Sequence, residues 1–477
     1  MGRSALLRKR SDIDMTSGSI VSCLFRFALP LFIGNLFQQF YNWVDTWVIG
    51  QTGQEAAYAA VGSVTPIINI LIGIFFGLSG GAGVVISQYY GAGNREGVRR
   101  AVHTSMVLVL ILGAVFTVLG IVGTPLMLHL MLDTEEAAAA EIFGFAKEYL
   151  TIYFAGVIGL MIYNIGSGIL RAIGDSSHPF YFLLFSAVVN IVLDLLFVFR
   201  FGMGVKGVAL ATVIAQGLSA VLTLYVLFTT KTDVRVSLPF LRCDREMLRK
   251  IVVIGIPAAF QMAITSFSNI FVQSYLGKAT LAGGAVNAST SLGAWTTYSK
   301  IDQMVMMPLQ AFSMAVTTFV GQNRGKGDLH RAARGTRIGY LMATVSALLL
   351  MTPILLFAPT LASVFNANTE IIHYATILLR YLTPFYLLCC VNQVFSGALR
   401  GAGNSTAPMV IMLLSFVGFR QIYLFVMSTY ISTDLLPMGF SYPAGWLVCA
   451  IITLLYYRYY KFRGKSLAET AEKEKKA

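Results

Sequence analysis

The sequence predicts an all-α membrane protein of twelve transmembrane helices, in two parallel six-helix lobes around a central cavity. Three observations predict it: long apolar runs, basic residues gathered in alternate loops, and an internal duplication. Hydrophobic residues make up 56% of the 477 and charged residues 12%, where a soluble domain carries about 25% charged. Too little charge remains to clothe a water-soluble surface.

The apolar runs lie near 22–50, 61–88, 102–125, 147–170, 179–200, 204–229, 250–277, 293–321, 337–358, 374–399, 408–431 and 437–461. A helix needs roughly 20 apolar residues to cross a bilayer. None of these runs alternates as a strand would, and lipid offers the backbone of an open sheet no partners. Basic residues cluster at Arg3–Arg10, Arg95–Arg100, Lys231–Lys250, Arg324–Arg337 and after Tyr457, whereas Asp133, Glu135, Glu136, Glu141, Glu370 and Asp434 fall in the intervening loops. The positive-inside rule then puts both termini in the cytoplasm. It also accounts for the net charge of +13 without nucleic acid. No small-residue cleavage site precedes the first run, so no removed signal peptide is expected. Cys23, Cys243, Cys389, Cys390 and Cys449 form no CxxC and read as packing residues. The expected division is a cytoplasmic segment 1–21, an N-lobe 22–230, a linker 231–249, a C-lobe 250–461 and a charged tail 462–477. The expectation is a monomer among membrane lipids, with no cofactor and no nucleic-acid partner.

Leu29-Pro30 recurs as Ile256-Pro257 and Gly50 as Gly277, both 227 residues later. Gln88–Gly91 matches Gln322–Gly325, 234 later, and SGILRAIGDSSHP (Ser167–Pro179) matches SGALRGAGNSTAP (Ser396–Pro408), 229 later, at seven of thirteen positions. Six spans per half bring both halves in from the same side. Such parallel repeats suit alternating access around a midplane site; a duplicated scaffold or channel is the other reading.

The runs ALP…VDTWVIG (Ala28–Gly50), SQYYGAGN (Ser87–Asn94) and GQNRGKGD (Gly321–Asp328), with the paired SGxLRxxGxSxxP segments, resemble the multidrug and toxic compound extrusion (MATE) transporters. The resemblance covers residues 20–460. It implies export of organic cations or drugs across a bacterial cytoplasmic membrane in exchange for protons or sodium ions.

A duplication supplies its own control. Asp45 stands where the other half has Val272, and Asp194 where it has about Tyr423. A carboxylate at bilayer depth costs a few kcal/mol, so each needs partners or a function. Asn35, Gln38, Asn42 and Asp45 form one polar stripe, and Ser186, Asn190 and Asp194 share a face. These acids read either as an ion-coupling pair or as structural hydrogen-bonding groups. The resemblance implies the first, because functional aspartates of the VDT and NIVLD motifs fall on Asp45 and Asp194. Asn190 lies in the same motif and Thr212 in a GxAxAT segment, and Asn42 completes the ion-coupling set. Asp45, Asp194 and Asn190 would be the metal ligands if the ion is sodium. Expected substrate contacts are Gln38, Asn35, Tyr149, Tyr153, Gln261, Asp302 and Met306, the tyrosines placed by span alone.

The NorM-like branch carries carboxylates in its seventh and tenth spans. Here the seventh offers Gln261, Thr265 and Ser268, and the tenth Cys389, Cys390, Asn392 and Gln393, which favours a DinF-like pattern. Asp302 reads either as an attractor of cations or as the partner of Arg420 or Arg380; Lys300 lies on another face. Met304, Met306, Met307 and Met314 suit promiscuous binding or packing. Pro30 and Pro257 should kink their helices, and Arg171 and Arg400 should cap carbonyls or hold loops. A flippase for lipid-linked precursors is the runner-up. No HExxH, GxSxG or nucleotide loop speaks for an enzyme.

Overall fold

The computed structural model describes residues 13–129, 137–281 and 287–460. The tail 462–477, most of the segment 1–21, and the acids Asp133, Glu135 and Glu136 lie outside these. Among the described residues the structure is helical, with one isolated bridge between Thr280 and Asp434. Among the described residues eleven helices are long and apolar enough to cross a membrane, twelve if a bent pair is counted as one span.

The first half contains α1 (Ile20–Gly50), α2 (Glu55–Gly91), α3 (Arg95–His129), the pair α4 (Ala137–Ala155) and α5 (Val157–Ala172), α6 (Ser177–Leu195) and α7 (Gly204–Thr229). The expected fourth span is therefore bent, by 49°. Its corner is Gly156, where an added Cβ would collide with Val213 of α7. The second half contains α8 (Arg245–Leu276), α9 (Ala288–Lys326), α10 (Leu329–Leu356), α11 (Ala358–Phe365), α12 (Thr369–Leu382), α13 (Tyr386–Gly401), α14 (Thr406–Met412), α15 (Arg420–Val426), α16 (Leu435–Gly439) and α17 (Ser441–Tyr460). Widened π turns at Leu196–Arg200, Leu413–Phe419 and Met427–Ile431 interrupt the fifth and eleventh spans; such turns often accompany function. Val122 in α3 is 74% exposed and Leu349 in α10 70%, a surface suited to lipid and not to water.

The duplicated motifs build duplicated joints. Gly93 and Gly327 both adopt positive φ, at 68° and 88°, and each ends its helix in the left-handed conformation that glycine tolerates best. The next residue caps the following helix. Asn94 Oδ1 accepts from the Gly97 amide and Asp328 Oδ1 from the Arg331 amide, both at 2.8 Å. Gly174 and Gly403 repeat the device at φ of 94° and 83°. Arg171 and Arg400 do not cap carbonyls as expected. Arg171 donates to Ser79 Oγ at 3.5 Å and Arg400 to Ser313 Oγ at 3.0 Å. Both serines donate onward at 2.6 Å, to the carbonyls of Asn164 and Gln393. A long side chain satisfied inside the bundle is cheaper than a bare charge there.

Contacts divide the chain into two compact units. One holds Leu29–Ile256; the other holds Pro257 onward together with Met15–Ala28. Thus α1 changes unit beside Pro30 and α8 at Pro257, where a missing amide weakens the helical ladder. In the second unit the chain before α1 is anchored to α9 and α10: Asn323 Nδ2 donates to the Met15 carbonyl at 2.9 Å, and Arg331 Nη2 to that of Ser17 at 2.6 Å.

The stretch 231–249 folds within the first unit. Ser237 donates its amide to His103 Nε2 at 3.1 Å, and Arg100 Nη2 meets Asp244 Oδ2 at 2.6 Å. The Met247 amide and Arg100 together hold the Asp244 carboxyl below its ordinary range. A depressed carboxyl contributes stability that is present above the unfolded pKa of about 3.9 and is lost as pH falls through the lower native value.

Two outcomes follow from these joints. Gly174→Ala should lower the thermal midpoint in detergent more than Gly18→Ala. Both have positive φ, but only at Gly174 does a new Cβ strike a carbonyl, that of Ile13, while Gly18 has open space. Asp244→Asn should speed tryptic cleavage at Arg242 and Arg245 at neutral pH; an unchanged cleavage rate would mean that this anchor does not hold the linker.

Candidate functional site

The site in the first unit follows from helix register. Gly34 of α1 lies against α6, where an added Cβ would sit 3.3 Å from Leu183 Cδ2. The first and fifth spans run in the same direction. About three helical turns beyond that contact each reaches its acid, and the Asp45 and Asp194 carboxyls come within hydrogen-bonding reach of one another. Between α6 and α7, Ser186 Oγ donates to the Ala215 carbonyl at 3.0 Å and Ser219 Oγ to that of Phe182 at 3.4 Å. This antiparallel register sets Asn190 opposite Thr212.

The polar atoms so gathered are not satisfied. Asp45 Oδ1, Asn190 Oδ1 and Nδ2, both carboxyl oxygens of Asp194 and Thr212 Oγ1 are buried with no hydrogen-bond partner among the described residues. Asp194 is 0% exposed. Unsatisfied buried polar groups are uncommon and cost about 1–3 kcal/mol each. Gathered within one layer of one bundle, these atoms can accept positive charge or donated hydrogen bonds. The oxygens are hard donors, the kind that a desolvated alkali cation or a proton requires. Among the described residues no three His, Cys, Asp or Glu side chains gather as a metal centre.

Tyr149 and Tyr153 are buried with stacked rings, centroids 6.3 Å apart, and Tyr149 lies in the field of both aspartates. Two neighbours were missed in the sequence. Tyr41 lies one turn before Asp45 and shares its field and that of Tyr153. Gln216, one turn after Thr212, lies in reach of the Tyr153 hydroxyl. Spacing of four from residues already singled out was the available signal. Asn42 is exposed, and only its carbonyl is engaged, by Thr46 Oγ1 at 2.9 Å. Asn35 and Gln38 are half-buried, with Gln38 in reach of the Tyr41 hydroxyl.

The other expected residues belong to the second unit and do not form one cluster. Gln261 is taken up by packing contacts: Nε2 faces Met412 Sδ at 2.8 Å and Oε1 accepts from Arg400 at 3.2 Å. Asp302 accepts from Tyr298 Oη at 3.5 Å. Met306 is half-buried. The expected alternative of an ion pair for Asp302 is not formed: Arg420 Nη1 donates to Asn269 Oδ1 at 3.3 Å, and Arg380 is exposed.

The model of the MatE family matches residues 30–196 and 257–426, one segment for each copy of the repeat. The chain belongs to the MatE family. The probable multidrug resistance protein YoeA of Bacillus subtilis is 30% identical to this MatE protein over 91% of its chain and 92% of the relative. The probable multidrug resistance protein NorM of Thermotoga maritima is 28% identical over 91% of each. A MOP superfamily transporter from Pyrococcus furiosus shares the fold at a TM-score of 0.87, with 24% identity over 94% of this chain and 97% of that one.

Thr212→Val removes a buried hydroxyl that has no partner, so it should leave the thermal midpoint in detergent without sodium nearly unchanged. If sodium binds here, the stabilisation that added sodium gives the unsubstituted protein should shrink in this variant. A differential scanning fluorimetry titration measures both.

Proposed function

We propose that this MatE protein exports organic cations or drugs from the cytoplasm in exchange for protons or sodium ions that bind at Asp45 and Asp194. The observation that carries the reading is the facing carboxyl pair with unpartnered oxygens, present in only one copy of the repeat. With one proton between them the two groups make a hydrogen bond. With none they are two negative charges in a poor dielectric and attract a cation strongly. Protonation, sodium and a cationic drug are then competing ways to neutralise the same layer. Asn190 and Thr212 supply the remaining oxygens for sodium, and Tyr149 and Tyr153 offer aromatic faces to an organic cation.

Coupling needs the ion to bind one conformation better than the other. The proposed cycle has the ion favour the conformation that releases drug outside, with both termini in the cytoplasm as the basic loops require. Relatives named multidrug export protein MepA, one of them 25% identical over 86% of this chain, support drugs as the cargo above lipid-linked precursors. The absence of acid among Gln261, Thr265 and Ser268 of α8 and Cys389–Gln393 of α13 supports coupling by the first half alone.

Asp45→Asn and Asp194→Asn should each abolish efflux of a fluorescent cation from cells while the protein still reaches the membrane. Proteoliposomes driven alternately by a pH step and a sodium step identify the ion. Undiminished efflux in both variants would refute the coupling role.

A further inference from the structure

The two units treat their basic residues differently. In the first, the stretch after α7 folds back on the start of α3: Asp233 meets Arg95 at 3.6 Å and Asp244 meets Arg100 at 2.6 Å. Glu246 adds pairs with Arg100 and Lys250. The second unit has no ion pair among the described residues. Its buried arginines have neutral partners, Arg400 on Ser313 and Gln261, and Arg420 on Asn269 between the rings of Phe416 and Tyr442. At the basic end of α9 and α10 the one described acid is Asp328, whose Oδ1 is taken by the Arg331 amide. Arg324 reaches Tyr460 Oη at 3.1 Å, and Lys326 and Arg331 reach backbone carbonyls. Arg334, Arg337 and Arg458 are exposed, with no anionic partner among the described residues. The segment after α17 differs in charge from the linker after α7. Residues 461–477 hold six Lys and Arg against three Glu, a net +3, so they bring more of the same sign.

These three arginines end apolar stripes. On α10, Arg334 and Arg337 are followed at helical spacing by Leu341, Val345 and Leu348, all exposed. On α17, exposed Leu447, Ile451 and Leu455 lead in the same way to Arg458. Both helices pack on α13. Tyr340 of α10 and Tyr457 of α17 meet one ring of α13, Phe395, with centroids at 5.7 and 4.8 Å. Tyr457 is also in reach of Thr336 and in the field of Arg337. The two stripes thus share one face, apolar along the spans and basic, with tyrosines, at one end. Tyrosine and arginine at such a height are the side chains of a membrane–water interface.

We propose that this face of α10 and α17 binds an anionic phospholipid, its phosphate between Arg337 and Arg458 and its acyl chains along the two stripes. A guanidinium fork matches phosphate oxygens, and Arg334, one turn from Arg337, adds to the field. A zwitterionic headgroup on the same chains carries no net charge for these arginines to neutralise. The charge also argues against other occupants: the segment 461–477 is itself basic, and a second copy of this chain would set arginine against arginine. The inference is independent of the export reading, because it uses no residue of the coupling site and no cargo.

The test offers the full-length protein in detergent equal amounts of phosphatidylglycerol and phosphatidylcholine with identical acyl chains, and native mass spectrometry counts the lipids retained. The unsubstituted protein should retain phosphatidylglycerol about fivefold or more over phosphatidylcholine, the scale of one basic residue acting on an anionic lipid. The double variant Arg337→Gln, Arg458→Gln should lose most of that preference, while Arg337→Lys, Arg458→Lys should keep part of it. A control, Arg242→Gln with Arg249→Gln, removes the same charge from exposed positions of the first unit and should leave the preference within about twofold. All four positions are exposed, so the substitutions leave the packed core intact, and an unchanged thermal midpoint checks this. Equal retention of the two lipids by the unsubstituted protein, or equal loss in the two glutamine variants, would overturn the site. A preference that emerges only when the chain is cut after Tyr460 would assign the face to the chain's own end and would also overturn it.

Discussion

The bilayer interior contains no water to satisfy a polar group, and the rest of this structure depends on that constraint. It dictates that spans be helical, and it dictates how the few intramembrane polar side chains behave. Most are neutralised locally. Ser105, Thr124, Thr223 and Thr336 each donate to the carbonyl one turn back in their own helix. Arg171 and Arg400 reach serines that pass the bond on to a neighbouring carbonyl. Against that background the layer around Asp45 and Asp194 stands out because its unpartnered atoms include carboxyl oxygens, whereas the other unpartnered buried side-chain atoms among the described residues are, Arg420 Nε apart, neutral. A sequence selected for stability alone would have filled the layer with leucine.

Duplication separates the exceptions from the scaffold. The left-handed glycines at 93 and 327 and at 174 and 403, the capping Asn94 and Asp328, and the arginine–serine–carbonyl relays all recur with nearly constant spacing. They hold corners and helix contacts, which both halves need alike. Asp45, Asp194, Asp302 and Arg420 do not recur. Each is a charge in a place where its counterpart is apolar or neutral, and Asp45, Asp194 and Arg420 carry buried polar atoms with no hydrogen-bond partner among the described residues. Lack of satisfaction alone does not mark them, since the Ser167–Ser396 and Ser176–Ser405 pairs recur and their hydroxyls are also buried without a partner among the described residues; what sets the acids and the arginine apart is that they carry charge.

Much of the fold was legible in the sequence because the signals are long. A run of twenty apolar residues is hard to mistake, and the repeat supplied the parallel arrangement of spans. The bend at Gly156 was not legible, because the contact that demands a glycine there comes from Val213 in another helix. Nor were the π turns of the fifth and eleventh spans, which no Pro or Gly pair within them announces. The same division holds for the site. Asp45, Asp194 and Asn190 announce themselves as polar residues in apolar runs. The exposure of Asn42 does not, because a stripe defined by residue spacing is wider than the face that a neighbouring helix covers. Gln261 looked free and is held by Met412 and Arg400, contacts that spacing along one helix cannot reveal. Tyr41 and Gln216 were hidden by the ordinariness of a tyrosine and a glutamine inside long helices.

The two units thus carry different electrostatics on one duplicated frame. In the first, acids face each other with no resident cation, so the layer is short of positive charge. In the second, an arginine lies among rings with no resident anion in contact, so the deficit has the opposite sign. Burying an uncompensated charge destabilises a bundle, and replacing both partners of a buried pair by apolar groups is often neutral or favourable. A chain that keeps both deficits forgoes that stability in both halves. What the two halves share is the frame; what differs is the sign of the charge that each keeps without a counter-charge in contact among the described residues.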